Sequence, residues 1–184
     1  MSNIFYPNSC EADVVAHVCD PCDTPEAGRI SSLAAIHASY ISTVNADPDN
    51  ATVWQDGIEQ GLIMIIPEVS GSISSTGKYT DGVGRSKERY TGRDFKISAT
   101  DPNWIGNTDT YNGLQKSSKY HVAYATENKF QISKYPATWK PDEPVEIGLD
   151  SERVWKLEIE FQQKDFSTPY DIPEDIFVCF TVEP

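Results

Sequence analysis

Residues 153–161 read RVWKLEIEF, and this stretch is the clearest indication of the fold class. Large apolar residues stand at every second position from Trp155 to Phe161, with charged residues between them. Such alternation is typical of a strand with one buried and one solvated face. Residues 120–126 (YHVAYAT) and 129–135 (KFQISKY) alternate in the same way around a short polar turn, which predicts a β-hairpin. The chain is therefore expected to be mainly β.

Further segments extend this interpretation. The residues 61–74 (GLIMIIPEVSGSIS), 95–100 (FKISAT) and 176–183 (IFVCFTVE) have the apolar and β-branched content of strands. Residues 108–118 are the best helix candidate, with lysines near the C-terminal end, where cations suit the helix dipole. The apolar spacing in residues 28–45 fits either a helix or a strand.

Three polar segments separate these elements. Residues 45–52 (NADPDNAT) predict a turn, because Asp and Asn beside Pro favour side-chain-capped turns. Residues 53–60 predict a short helical turn, and residues 139–144 predict a loop. Trp104 and Trp139 lie in such polar surroundings, so they are better candidates than Trp155 for contact with a ligand or another subunit; core packing or assembly is favoured over carbohydrate binding.

Length and composition favour a single domain. A chain of 184 residues with 39% hydrophobic and 11% aromatic residues can build one substantial core. Residues 1–27 are acidic, rich in cysteine and poor in apolar groups, and we interpret them as an N-terminal arm before a β-rich domain at 28–184. The predicted fold is a β-sandwich or barrel with one short α-helix near 108–118 and a long projecting loop or hairpin near 75–94.

The charge distribution is uneven. The net charge is −13, yet residues 77–140 carry eleven Lys/Arg and six Asp/Glu, whereas residues 1–60 carry one and nine. A net negative charge argues against wrapping nucleic acid, which depends on Lys/Arg contacts to phosphates. It is compatible with a conduit through which DNA slides, and equally with simple solubility.

The segment 77–96 is a basic island in this acidic chain. It combines several glycines with few apolar side chains, so it can bury little surface by itself. We expect it to be a loop or hairpin that contacts acidic surface of another copy. The candidate contact residues are Arg85, Lys87, Arg89, Tyr90 and Arg93.

The four cysteines form a second candidate site. Cys19 and Cys22 make a CxxC, with Cys10 upstream and Cys179 near the other end of the chain. Four thiolates, or three with His17, could hold a structural zinc ion. Two disulfides and free thiols are the alternatives, and the disulfides would need an oxidising compartment. No other cofactor is expected.

Catalytic signatures are missing from the sequence. It contains no GxSxG, HExxH or Walker-type GK[ST] motif, and its three histidines are far apart. Glu158 and Glu160 form a carboxylate pair, but they occupy the predicted outer face of a strand, where acids are ordinary. We therefore expect a protein that is not an enzyme.

Membrane and export signals are also missing from the sequence. The start MSNIFYPNSCEADVV has no basic region followed by an apolar run, and the longest apolar run is only Leu62–Pro67. The expectation is a protein that is made and used inside a cell, or that leaves by lysis within a particle.

Several stretches resemble small virion structural proteins of tailed phages of the Bacteroidetes, including the crAss-like group. They are HVCDPCDTPEAGRI, WQDGIEQGLIMIIPEVSGS, GKYTDGVGRSKERYTGRDFKI and VWKLEIEF…PEDIFVCF. The resemblance implies a tail, neck or ring protein with a tail-tube-like β-sandwich or barrel. It also implies assembly in the host cytoplasm into a ring or tube, with portal, tail or neck proteins as partners and DNA passing through the lumen.

A binding module is the alternative. In that interpretation a β-sandwich recognises carbohydrate or a host receptor through Trp104, Trp139 and tyrosines, because aromatic rings pack on sugar faces.

Overall fold

A computed structural model describes residues 28–82, 88–103, 106–143 and 153–177, and the structural statements refer to these residues. Within these ranges the chain is mainly β, as predicted. In chain order the elements are β1 (Ser32–His37), α1 (Ile41–Ala46), α2 (Ala51–Glu59), β2 (Ile63–Ile66), β3 (Ser70–Asp81), β4 (Glu88–Asp101), α3 (Thr108–Lys116), β5 (Tyr120–Ala125), β6 (Lys129–Ile132), β7 (Thr138–Asp142), β8 (Trp155–Gln163) and β9 (Tyr170–Asp171).

The strands form two antiparallel sheets. One has five strands in the order β2-β1-β5-β6-β9, and the other has four in the order β3-β4-β8-β7. A shared apolar core takes side chains from both sheets, so they pack face to face. The sequence left sandwich and barrel open; the described strands make a sandwich of two separate sheets and no closed barrel.

The core between the sheets is centred on β8. Its residues alternate between buried and solvent-facing from Trp155 to Phe161, as the sequence predicts. Ile159 pairs with Ile97 of β4, and both side chains are fully buried. The Phe161 ring stacks on the Phe95 ring at 5.0 Å. One continuous apolar face of β4 and β8 therefore fixes the register of the four-stranded sheet.

A second apolar layer covers the other face of the five-stranded sheet. Trp54 of α2 is fully buried there, with its ring 5.4 Å from Phe130 and 5.2 Å from Phe177. The Ser32 hydroxyl donates to the carbonyl oxygen of Phe177 at 2.9 Å and ties this segment beneath β1. The molecule thus has three layers: the four-stranded sheet, the five-stranded sheet, and α1 and α2.

The helix expected at 108–118 is present as α3. Tyr111 and Leu114 are its buried residues, and Lys116 lies in its last turn. Asn107 occupies the N-cap position without capping through its side chain. The two other short helices, α1 and α2, differ in part from the sequence prediction. The segment 28–45 contains both a strand, β1, and a helix, α1, and the helical turn expected at 53–60 is α2.

The turn expected at 45–52 joins these two helices. The Asn50 side chain accepts from the backbone N–H of Thr52 at 3.0 Å and so caps α2. Its amide also donates to Asp47 at 2.7 Å. This is the capping role that Asn favours at the start of a helix.

The single strand expected at 61–74 is divided in two. β2 belongs to the five-stranded sheet and β3 to the four-stranded sheet. Pro67 and Glu68, which has a φ of +59°, form the crossing between them. Proline has no N–H for a ladder, so a strand readily ends there.

The prediction of a loop at 139–144 is wrong for residues 139–142. Residues Thr138–Asp142 form β7, and Trp139 pairs with Ile159 and is only 2% exposed. Trp139 is a core residue and not the exposed contact that its polar neighbours suggested. Pro141 is tolerated because β7 is an edge strand. Of the strand expected at 176–183, the described residues Ile176 and Phe177 lie outside any strand, and 178–183 lie outside the described ranges.

A buried polar pair anchors α3 to β4. The Tyr111 hydroxyl donates to a carboxylate oxygen of Asp101 at 2.5 Å, and Asp101 also accepts from the backbone N–H of Asn103 at 2.8 Å. Burial, with the hydrogen bond to Asp101 and its charge, raises the pKa of Tyr111. Burial raises the pKa of Tyr124 to about 12.

These two tyrosines predict a loss of stability at alkaline pH. In the unfolded chain tyrosine releases its proton near pH 10, while the folded chain still holds it. The folded state then binds more protons, so the free energy of unfolding falls as the pH rises above 10, by about 1.4 kcal/mol per pH unit for each buried tyrosine. Urea titrations from pH 8 to 11 measure this slope. Tyr124→Phe should reduce it, and the matched control at the exposed Tyr79, Tyr79→Phe, should not.

Candidate assembly surface

The basic island at 77–96 forms the outer end of a long hairpin. β3 and β4 pair from Ser70↔Thr100 to Asp81↔Glu88. β8 pairs with β4 only from Asp101 to Arg93. The hairpin therefore extends past its neighbouring strand as a two-stranded ribbon of residues 78–81 and 88–92. The projecting hairpin expected near 75–94 is confirmed.

This ribbon does not need a second molecule in order to pair. Its ladder consists of backbone hydrogen bonds within one chain, and these do not require apolar side chains. The low apolar content of residues 77–96 is therefore no argument for assembly by itself. Any preference for a second copy must come from the side chains that the ribbon presents.

A bulge marks the place where the ribbon leaves the sheet. The register between β3 and β4 shifts between Lys78 and Tyr79. Gly92, opposite Lys78, has a φ of +154°, a conformation that other residues rarely adopt. Because bulges increase the local twist, they commonly re-aim side chains at the rim of a sheet.

Arg93 lies at this point and contacts an exposed aromatic ring. Its guanidinium carbon is 4.4 Å from the centroid of the Phe166 ring, and Phe166 is 65% exposed. One guanidinium nitrogen donates to the Ser75 hydroxyl at 3.4 Å. The Nε of Arg93 is buried and has no hydrogen-bond partner among the described residues. The cation–π contact holds the guanidinium against Phe166 and leaves it incompletely hydrogen-bonded.

Tyr90 connects the ribbon to the turn after β8. Its hydroxyl donates to the carbonyl oxygen of Lys164. The Tyr79 ring meets the Tyr90 ring edge to face at 5.6 Å, and Tyr79 is 59% exposed. The sequence candidates Tyr90 and Arg93 are thus brought together with two residues that it did not nominate, Tyr79 and Phe166. A lone phenylalanine in the polar run QQKDFSTPYD was the available signal for Phe166.

The other cations of the island differ in their partners. Lys78 is 2.7 Å from Asp94, and Lys96 is 2.6 Å from Glu158, so their charges are balanced within the chain. Arg89 is exposed and makes no ion pair with any residue in the described ranges. Arg85 and Lys87 lie outside those ranges.

The outer face of the four-stranded sheet forms an open groove of about 1060 Å³ near the ribbon. Glu158 and Glu160 lie on this face, and each pairs with a lysine, Lys96 at 2.6 Å and Lys140 at 2.5 Å. The hydrogen bond from Lys96 lowers the pKa of Glu158. Glu158 is therefore held ionised beside a cation, which does not suit a general acid.

The remaining sequence candidates do not converge on a second site. His37 faces the core between the sheets and meets the Tyr120 ring, whereas the neighbouring buried His121 faces the opposite side of the sheet. The nitrogen Nδ1 of His121 is 3.0 Å from the Ser133 carbonyl oxygen, and burial lowers the pKa of this histidine. In the part of the chain that the structure describes, no three His, Cys, Asp or Glu residues are grouped as metal ligands.

The cysteine site and Trp104 lie outside the part of the chain that the structure describes. The candidate zinc ligands of this site are Cys10, Cys19, Cys22 and Cys179. The choice between zinc, disulfides and free thiols therefore stays a prediction. None of the described helices has the length and apolar content needed to span a membrane.

Comparison with known proteins adds no relative: no family model, curated protein or solved structure matches this chain.

Proposed function

We propose that this protein is a self-assembling structural subunit of a tailed-phage virion, in the tail, neck or a ring around the DNA passage. The observation that carries the assembly part of this proposal is the ribbon at 78–81 and 88–92. It extends beyond the sheet and presents aromatic and arginine side chains on an acidic chain. The virion part rests on the sequence resemblance described above.

Charge and geometry both support association between copies. Residues 30–77 contain five Asp/Glu and no Lys or Arg, so an acidic segment and the basic ribbon belong to the same chain. Opposite patches on a single chain favour head-to-tail contacts, and such contacts close into rings when the rotation permits. Each contact in a closed ring can be weak, because a subunit in the ring is held by two contacts at once and both must break before it leaves. The acidic remainder would let DNA pass without adhering.

The alternative, a carbohydrate- or receptor-binding module, has less support. Trp139, one of its two proposed platform residues, is buried in the core. Tyr135 is 53% exposed beside the open groove and is the remaining described aromatic for such a role.

Self-association of the full chain is the direct expectation. Sedimentation velocity should show the average mass rising with protein concentration, because the association is between copies. Added salt should lower it at a fixed concentration, because screening weakens contacts between exposed charges. A monomer at every concentration in low salt would contradict the proposal, and salt-insensitive oligomers would exclude the basic ribbon as their cause.

A further inference from the structure

Two exposed residues, Tyr79 and Phe166, and two half-buried residues, Tyr90 and Arg93, form one patch at the root of the ribbon, which we name the aromatic–arginine patch. The contacts that join them are the edge-to-face pair Tyr79–Tyr90 and the cation–π pair Arg93–Phe166. Across the ladder Arg93 pairs with Gly77, and a Cβ atom on Gly77 would lie 3.0 Å from the Tyr79 ring. The Tyr79 ring therefore lies back over Gly77 towards Arg93, and the two pairs are continuous.

This patch has the composition of a binding surface. Tyrosine, phenylalanine and arginine are enriched where protein interfaces are buried, and arginine and tyrosine are frequent hot spots. Phe166 and Tyr79 are the two most exposed of the four large hydrophobic residues that are exposed in the described ranges. Next to the patch, Arg89 is exposed and makes no ion pair among the described residues. A partner should therefore offer apolar surface together with carboxylates.

The helix α2 offers this combination. Ile58 is the exposed large hydrophobic residue of the helical layer, at 36% exposure. Glu59 follows it and is exposed, and Asp56, one turn before Glu59, is exposed further round the helix. No Lys or Arg occurs between residues 30 and 77, so nothing in this segment neutralises the acids. The two surfaces are complementary. Ile58 can pack against the aromatic rings, and the carboxylates are opposite in charge to the arginines.

We propose that the aromatic–arginine patch of one copy docks on the α2 surface of a second copy, around Ile58, Asp56 and Glu59. The two surfaces belong to different layers of one molecule. The ribbon continues the four-stranded sheet, whereas α2 packs on the far face of the five-stranded sheet. The contact therefore joins different copies, and it is heterologous, so repeating it builds a ring or a filament. This inference rests on the proposed self-assembly and names its two surfaces.

The first test removes the aromatic rings and leaves the cations in place. The double variant Tyr79→Ser and Phe166→Ser should raise the dissociation constant of self-association, measured by sedimentation velocity, by about tenfold or more. The second copy would lose its contacts with both rings. Both side chains are largely exposed, so the far-ultraviolet circular dichroism and the melting temperature should stay near those of the wild type. The control is Tyr135→Ser, which removes a similarly exposed aromatic residue that lies outside the patch, on the open groove that Arg93 also lines, and this variant should assemble normally.

The second test mixes two assembly-deficient variants of the full chain. One carries the Tyr79 and Phe166 substitutions and keeps an intact α2; the other carries Ile58→Lys with Glu59→Lys and keeps an intact ribbon. In a heterologous contact the mixture has one functional pair of surfaces, so native mass spectrometry should show a one-to-one dimer that grows no further. Each variant alone should be monomeric.

The outcomes separate the two proposals. Wild-type oligomers that survive the Tyr79 and Phe166 substitutions, or a mixture that forms no dimer, would overturn this inference and leave self-assembly standing. A wild-type chain that never associates would overturn both.

Discussion

Replacing Trp54 with alanine is expected to lower the free energy of unfolding by about 3–5 kcal/mol, the range for removing a large buried aromatic side chain. Trp54 is fully buried between α2 and the five-stranded sheet and contacts Phe130 and Phe177. Its indole N–H donates to the Pro48 carbonyl at 2.8 Å, so the turn before α2 also loses a bond. The substitution therefore weakens the whole helical layer.

Urea unfolding, followed by circular dichroism, measures this loss. Trp54→Phe keeps an aromatic ring in the layer and loses mainly the N–H donor, so it should cost less, about 1–2 kcal/mol. Tyr135→Ala, at an exposed position, is the surface control and should stay within about 0.5 kcal/mol of the wild type. If Trp54→Ala behaved like this control, the second apolar layer would be wrongly described.

Neutralising four cations of the ribbon together is expected to abolish assembly while the fold remains. The variant carries glutamine at Arg85, Lys87, Arg89 and Arg93. Arg89 and Arg93 make no ion pair among the described residues, so their loss breaks no salt bridge there. The loss of the Arg93–Phe166 contact should cost about 0.5–1 kcal/mol, because it lies at an exposed site. Stability should therefore fall only slightly, while attraction to an acidic copy disappears.

The matched control removes the same amount of positive charge elsewhere. It carries glutamine at four other exposed cations: Arg29, Lys116, Lys119 and Lys134. Both variants have the same net charge, so general repulsion between copies is equal, and only the position of the lost charges differs. Light scattering should show monomers for the ribbon variant and oligomers for the control. Equal assembly of both would exclude the ribbon as the contact.

The parts of the fold that the sequence predicts well are those with a strong local pattern. β8 alternates over nine residues, and its buried side chains from Trp155 to Phe161 are those expected. α3 is found because Tyr111 and Leu114 are spaced one helical turn apart in an otherwise polar stretch. In both elements a single face carries the apolar residues, so period and burial agree.

Trp139 shows why the rest could not be predicted. Its strand, β7, buries only this one residue fully, and the polar neighbours with Pro141 imitate a loop. What makes it a strand is pairing with β8, which is distant in sequence and invisible to a local pattern. The crossing at Pro67 is similar: the apolar run continues through it, but the two halves join different sheets.

The candidate surface was predicted in position but not in composition. Charge counting identifies the ribbon, and Arg93 and Tyr90 were named from it. Phe166 and Tyr79 were missed because their role comes from contacts across the sheet, Phe166 with Arg93 and Tyr79 with Tyr90. The low apolar content of residues 77–96 is therefore not the reason to assign this segment to assembly. Its described strands pair within one chain, and its aromatic and arginine side chains, rather than a lack of apolar residues, support a role in assembly.

Native mass spectrometry of the wild-type chain at low ionic strength is the decisive measurement of self-assembly. We predict one dominant oligomer of fixed stoichiometry rather than a ladder of sizes, as a closed ring requires, and it should dissociate when the ribbon cations are neutralised. A chain that stays monomeric at every accessible concentration, or whose oligomers are unchanged in the ribbon variant, would contradict the proposal.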